Sequence, residues 1–201
     1  MDTTLLELIQ EIDLMWDPVY PYLSQHIQEL YGRTDGSVLE MGPFCGVIFS
    51  LPQRGMGTSF SIGTFPRGMG TFFRHEVRRR DLEGRVEVLE IDPSLKGIGE
   101  SRYDLVIFRG AFFFPSLFNA DLKAIFRILR PQGVGFIGGG FGKYTPEAVI
   151  NAMAKPSRDV NDRIGKVDMD ESALRKAIEE SGLSGKVEVT AEGGLWAVIR
   201  K

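Results

Sequence analysis

The sequence predicts an α/β fold: a seven-stranded, mostly parallel sheet flanked by helices, closed by an antiparallel hairpin at the carboxyl end. Three observations carry this reading. Short apolar runs alternate with amphipathic stretches at helical spacing. Glycine-punctuated turns follow those runs at once, as in the segment Val38 to Gly46. The last two apolar runs lie on either side of Glu192-Gly193-Gly194, a hairpin turn.

Taken in order, residues 3–30 read as helical, with Leu5, Ile9, Ile12 and Met15, then Leu23, Ile27 and Leu30, at three- and four-residue spacings. Pro18 and Pro21 divide them into two helices. The first strand is Ser37–Met41 and the second Ser59–Ile62; the pentapeptide Arg-Gly-Met-Gly-Thr stands on each side of the latter, at 54–58 and 67–71. Two similar glycine-rich loops are the simplest account of that repeat, which is too short for a solenoid. A helix is expected over 71–82, a third strand over Arg85–Glu90 and a fourth over Tyr103–Phe108. An amphipathic helix over 116–129 is stopped by Pro131-Gln132-Gly133 ahead of a fifth strand, Val134–Ile137. Residues 145–154 and 170–181 read as helices joined by a polar, mobile stretch, 155–168. Val187–Ala191 and Leu195–Arg200 are the closing strands. The chain of 201 residues suits one domain, 1–34 forming a helical cap and 35–201 the α/β core.

Composition narrows the function classes. A net charge of -3 argues against a general nucleic-acid binder. Arg74, His75, Arg78, Arg79 and Arg80 then read as a solvated helical face, balanced in part by Glu76 and Asp81. One cysteine, Cys45, excludes an internal disulfide framework and fits a reducing, cytoplasmic compartment. With two histidines besides, no metal-ligand spacing exists. Asp2, Glu7, Glu11 and Asp13 are wrong for a signal peptide, and no apolar run spans a bilayer. There is no Gly-x-Ser-x-Gly elbow for a serine hydrolase. Nor does Gly-x-Gly-x-x-Gly follow the first strand, as a nicotinamide enzyme would require. The sequence leaves the oligomeric state open.

Four landmarks in order resemble the class I S-adenosylmethionine-dependent methyltransferases, a Rossmann-like family, over about residues 35–200. Val38-Leu39-Glu40-Met41-Gly42-Pro43-Phe44-Cys45-Gly46 looks like their first motif. Leu89-Glu90-Ile91-Asp92 is similar to the end of their third strand, and Tyr103 to Gly110 to their fourth. Ile128-Leu129-Arg130-Pro131-Gln132-Gly133 is close to the turn before their fifth. The resemblance implies S-adenosylmethionine as cofactor, with S-adenosylhomocysteine as product. It places Glu40, Met41, Gly42, Pro43, Phe44 and Gly46 at the cofactor, with Gly63 and Thr64 at the ribose. Ile91 and Asp92 fall at the adenine, and Arg109 and Gly110 at the end of the fourth strand. Two positions depart from the pattern. The ribose-binding acid has no counterpart at Gly63, a loss of about 1.5–3 kcal/mol for a charge-assisted hydrogen bond. Phe44 stands where a glycine usually lets backbone approach the ligand.

Several residues keep two readings at this stage. Glu40 is either a ligand contact or a strand-end carboxylate bonded to loop amides. Asp92 is either an adenine contact or a turn former before Pro93. Arg109 either holds a carboxylate or is an exposed strand-end arginine. Phe108, Phe112, Phe113 and Phe114 are either core or an aromatic acceptor pocket, with Phe113 the expected acceptor contact. Tyr20 approaches the ligand by resemblance, and the glycine loop 138–142 and Tyr144, beside the same cleft, form an acceptor wall. Cys45 is a small buried loop residue rather than a nucleophile. No catalytic side chain is assigned, because the cofactor carries its own leaving group and transfer needs alignment more than acid–base chemistry. The first functional reading is methyl transfer to a small molecule. The second is a degenerate member that binds a ligand or partner without transfer.

Overall fold

A computed structural model describes residues 3–201, so Asp2 lies outside the described residues. Its centre is a seven-stranded sheet: β1 (Ser37–Gly42), β2 (Ser59–Thr64), β3 (Val86–Glu90), β4 (Tyr103–Arg109), β5 (Leu129–Gly139), β6 (Val187–Thr190) and β7 (Leu195–Arg200). The order across the sheet is β3-β2-β1-β4-β5-β7-β6. All pairs among β1 to β5 are parallel, while β7 runs antiparallel to both β5 and β6. The expected fold class is therefore the observed one, and β7 is its one reversed strand. Strand order reverses between β1 and β4, which opens a crevice at their carboxyl ends.

The α-helices are α1 (Thr3–Met15), α2 (Tyr20–Tyr31), α3 (Met69–Arg79), α4 (Leu122–Ile128), α5 (Glu147–Ile164) and α6 (Glu171–Glu180). The break between α1 and α2 falls where Pro18 and Pro21 require it, and Pro21 then sits in the first turn of α2. Ile9, Ile12, Trp16, Leu23 and Ile27 point into the core. Residues β4 contributes to the sheet are buried throughout, as a central parallel strand demands. Both copies of the pentapeptide bury their methionine, Met56 and Met69, on either side of β2. The arginines of α3 are paired: Arg79 and Arg80 reach buried Glu76, Arg80 also reaches Asp17, and Arg78 reaches Glu83.

The structure corrects two helices. The one expected over 116–129 starts only at Leu122, because the Asp121 side chain accepts from the Ala124 amide and caps it there. The stretch 155–168, expected to be polar and mobile, is helical as far as Ile164. α5 continues through Pro156 because Met153, Ser157, Val160 and Ile164 form a buried stripe and α1 packs against the helix. Gly165, at positive φ, ends it. Elsewhere boundaries move by a few residues: β2 runs on to Thr64, β5 begins at Leu129, and α3 begins at Met69.

Candidate functional site

The carboxyl edge of the sheet is built from the ends of β1, β2, β4 and β5. β1 ends in Glu40-Met41-Gly42, and the register sets Gly63 beside Met41 and Thr64 beside Gly42. Gly42 takes φ +115, and a side chain there would press into the Phe108 ring, so only glycine turns the chain at this point. The loop beyond it is buried from Met41 through Phe49. Gly46 lies flat beneath the ring of Tyr20; a Cβ would fall 2.0 Å from its Cε2.

Glu40 is fully buried. Its Oε2 accepts the Ile48 amide at 2.7 Å, while Oε1 has no partner. Thus the loop-amide bond expected as one of the two readings is present, with the Val47 amide also acting on the carboxylate, while Oε1 is buried outside any geometric hydrogen bond. Burial pushes the Glu40 carboxyl up to about 8, against the pull of Arg109 and the Ile48 amide. Thr64, the last residue of β2, is 1% exposed and its hydroxyl has no partner either. Two adjacent strands therefore carry, at or near their carboxyl ends, buried polar atoms without a geometric hydrogen-bond partner, a costly arrangement. The neighbouring Gly63 offers no acid, and Ile91 fills the space: a Cβ on Gly63 would lie 2.6 Å from Ile91 Cδ1. Asp92 is exposed and accepts from the Ser94 amide at 2.8 Å, forming the turn before β4.

Arg109, at the end of β4, is 6% exposed, so the exposed reading of it is corrected. Its guanidinium lies 4.6 Å from the Trp16 ring centroid and 4.7 Å from that of Tyr20, clamped between them. Burial opposes its charge, but Tyr20, Glu40 and Asp13 together hold it protonated above the ordinary arginine range. Asp13, on the apolar stripe of α1, accepts the Tyr20 hydroxyl at 2.8 Å. Burial raises it to about 7, against Arg109 and Tyr20. Among the described residues neither acid comes within ion-pair distance of the guanidinium, and Arg109 Nη1 is buried without a partner. The Cys45 thiol, buried beside them, donates to the Gly42 carbonyl and is raised by burial, so it is not poised as a nucleophile.

Arg109 also borders a cavity of about 240 Å³ over the ends of β4 and β5. Trp16 just after α1, Phe44, Phe113, Phe114 and Phe141 wall it, Gly139 and Gly140 floor it, and Ser157, Arg158 and Asn161 of α5 with Lys166 close its far side. Phe44 packs on Phe114 at 5.1 Å between centroids and over Gly110, so it shapes this cavity. The sequence therefore pointed to Phe113, Arg109 and the loop 138–142, which supplies Gly139, Gly140 and Phe141, but missed Asp13, Arg158 and Lys166. An acid on the apolar stripe of α1 was the available signal for Asp13. Tyr144 is away from the cavity, exposed, with its hydroxyl on Glu29. A larger groove of about 830 Å³ runs along the amino ends of β1 to β4, the edge opposite to that used by ligands in such sheets. Among the described residues no cluster of acids, histidine and cysteine could hold a metal ion, and no helix is long and apolar enough to cross a membrane.

No protein-family model matches the chain, and no curated protein sequence does so. Solved structures do match. A candidate S-adenosylmethionine-dependent methyltransferase from Methanococcus maripaludis aligns with a TM-score of 0.78 at 23% identity, over 98% of this chain and 91% of its own. A methyltransferase from Aquifex aeolicus, also dependent on S-adenosylmethionine, aligns at 0.65 and 17% identity, over 99% of both chains. A more distant match, PigF, contains S-adenosylhomocysteine; it aligns at 0.51 and 19% identity, over 82% of this chain and 50% of its own. The fold is that of the class I S-adenosylmethionine-dependent methyltransferases, as the sequence landmarks implied.

Proposed function

We propose that the chain binds S-adenosylmethionine at the ends of β1 and β2 and transfers its methyl group to a small molecule in the aromatic cavity. The observation that carries this is the pair of buried, unpartnered atoms, Glu40 Oε1 and Thr64 Oγ1, on the two strand ends where this fold places the cofactor. They fit its polar groups: a carboxylate for the amino group, a hydroxyl for a ribose oxygen. Gly42, Pro43, Phe44 and Gly46, with Met41 beneath, form the loop against it, and Ile91 and Asp92 lie at the adenine end. Bound there, the cofactor would supply a methyl group on a positively charged sulfur.

The protein's part is alignment and exclusion of water. Trp16 and Tyr20, brought in by α1 and α2, cover the crevice and clamp Arg109 over the acceptor side. No acid or histidine lines the cavity, so no general base is supplied to the acceptor. Arg109, Arg158 and Lys166 instead favour an acceptor that arrives as an anion. Glu40 must ionise to meet a cationic amino group. With its carboxyl at about 8 in the free protein, cofactor binding expels a proton below that pH. Affinity then rises as pH climbs toward about 8.

Calorimetric titration with S-adenosylhomocysteine tests the reading. Binding at about 1–100 micromolar that tightens with pH, and whose pH dependence vanishes in Glu40→Gln, is expected. No heat up to about a millimolar would remove the enzyme reading. A second reading, a ligand- or partner-binding protein without methyl transfer, draws on a different observation. Tyr20 on Gly46 and Ile91 on Gly63 fill space that a cofactor would need. Under it, Tyr20→Ala would create no cofactor binding either.

A further inference from the structure

Cations border the aromatic cavity on three sides, and no acid lines it. Arg109 comes from β4, Arg158 from α5 and Lys166 from the turn after α5. Some arginines and lysines of this surface are matched with acids, as on α3 and in the Arg33–Asp35 and Lys143–Glu29 pairs. Among the described residues Arg158 and Lys166 have no acidic partner within ion-pair distance, and neither has Arg109. Arg109 is the telling one. Its Nη1 is buried and unpartnered, the residue borders the cavity, and leaving a buried guanidinium donor unmet is costly unless a small movement of the side chain brings it to an acceptor. The planar fork of arginine matches a carboxylate, and the rings of Trp16 and Tyr20 fix its plane before any ligand enters.

The remaining walls state the rest of the ligand. Five aromatic side chains, Trp16, Phe44, Phe113, Phe114 and Phe141, surround a volume of about 240 Å³. That is below the ~300–1,000 Å³ of sites for drug-sized ligands, which leaves room for one ring and its substituents. Gly139 and Gly140 keep the floor flat beneath it; the Phe113 ring already lies so close to Gly139 that a Cβ there would be 2.7 Å away. Asn161 and Ser157 provide further polar atoms beside the cations.

We propose that the cavity binds a single-ring aromatic acid, its ring among these aromatic side chains and its carboxylate on Arg109, with Arg158 and Lys166 supplying further positive charge. Calling that acid the methyl acceptor rests on the methyl-transfer reading above; its binding does not.

Calorimetry on the full chain with benzoate, benzamide and acetate, each with and without saturating S-adenosylhomocysteine, tests it. Benzoate should bind at least about tenfold more tightly than benzamide, which keeps the ring and lacks the charge, and than acetate, which keeps the charge and lacks the ring. The double variant R158Q/K166Q, altered at exposed positions and so expected to fold, should weaken benzoate about tenfold and leave S-adenosylhomocysteine unchanged; R109Q should abolish benzoate binding. Equal affinity for benzamide or for acetate overturns the proposal, as does silence of all three compounds in a protein that binds S-adenosylhomocysteine. A loss of S-adenosylhomocysteine affinity in R158Q/K166Q also overturns it, because the cations would then serve the cofactor. Benzoate selectivity in a protein that ignores S-adenosylhomocysteine upholds the cavity and defeats the methyl-transfer reading.

Discussion

The two halves of the sheet's carboxyl edge solve opposite problems. Over β1 and β2 the protein buries acids and a hydroxyl outside any ion pair: Glu40, Thr64 and, beside them, Asp13, with the charge of Arg109 acting on both acids from beyond ion-pair distance. Over β4 and β5 it borders a cavity with cations, Arg109, Arg158 and Lys166, and no acid lines that cavity. The first half is filled, Tyr20 on Gly46 and Ile91 on Gly63; the second keeps an open cavity. The division fits a cationic ligand on one side and an anionic one on the other, meeting at Phe44. A scaffold with a single ligand would have no use for the separation.

The largest effect should come from the acids. Folding moves Asp13 from 3.8 to about 7 and Glu40 from 4.5 to about 8. Because the native state holds these protons more tightly than the unfolded chain, stability is greatest below the unfolded values and falls as pH rises through the folded ones. The loss is on the order of 4 kcal/mol for each acid between pH of about 4 and 8. Urea unfolding across that range measures it, and Asp13→Asn should remove its share of the slope. A flat profile would mean that the acids are ionised and paired, breaking the contrast between the halves.

Next is the boundary residue. Phe44→Ala should cost about 3–5 kcal/mol, read as a lower melting temperature, because the ring packs on Phe114 and over Gly110. It should also enlarge the cavity over β4 and β5 and relax selection by ligand size. Gly46→Ala should cost about 1–3 kcal/mol in the same assay, since the new methyl meets the Tyr20 ring.

The smallest effect is the most diagnostic. Thr64→Val exchanges a buried, unpartnered hydroxyl for a methyl of similar size. It should raise stability by about 1 kcal/mol while weakening S-adenosylhomocysteine about fivefold or more. A gain in stability with no change in binding would mark the hydroxyl as idle.

The fold was legible in the sequence because its signals are local: apolar runs, glycine turns and helical spacing, all within a dozen residues of one another. The stretch 155–168 misled for the same reason. Locally it reads as a polar connector, and what keeps α5 intact there is the buried stripe from Met153 to Ile164 together with its packing on α1. The site was legible only in part. Glu40 and Gly42 announce themselves by spacing. The burial of Arg109 depends on Trp16 and Tyr20, about ninety residues earlier, and the charge of the cavity depends on Arg158 and Lys166, about fifty residues later. Such long-range company has no signature in any one stretch of chain.

The division of the edge into two sites is tested most directly by amide NMR on isotope-labelled protein, with S-adenosylhomocysteine and benzoate added separately. S-adenosylhomocysteine should shift the amides of Gly42, Gly46 and Thr64, and benzoate those of Gly110, Gly139 and Gly140. If both ligands move the same set, or if S-adenosylhomocysteine moves only the second, the edge holds one site and the account is wrong.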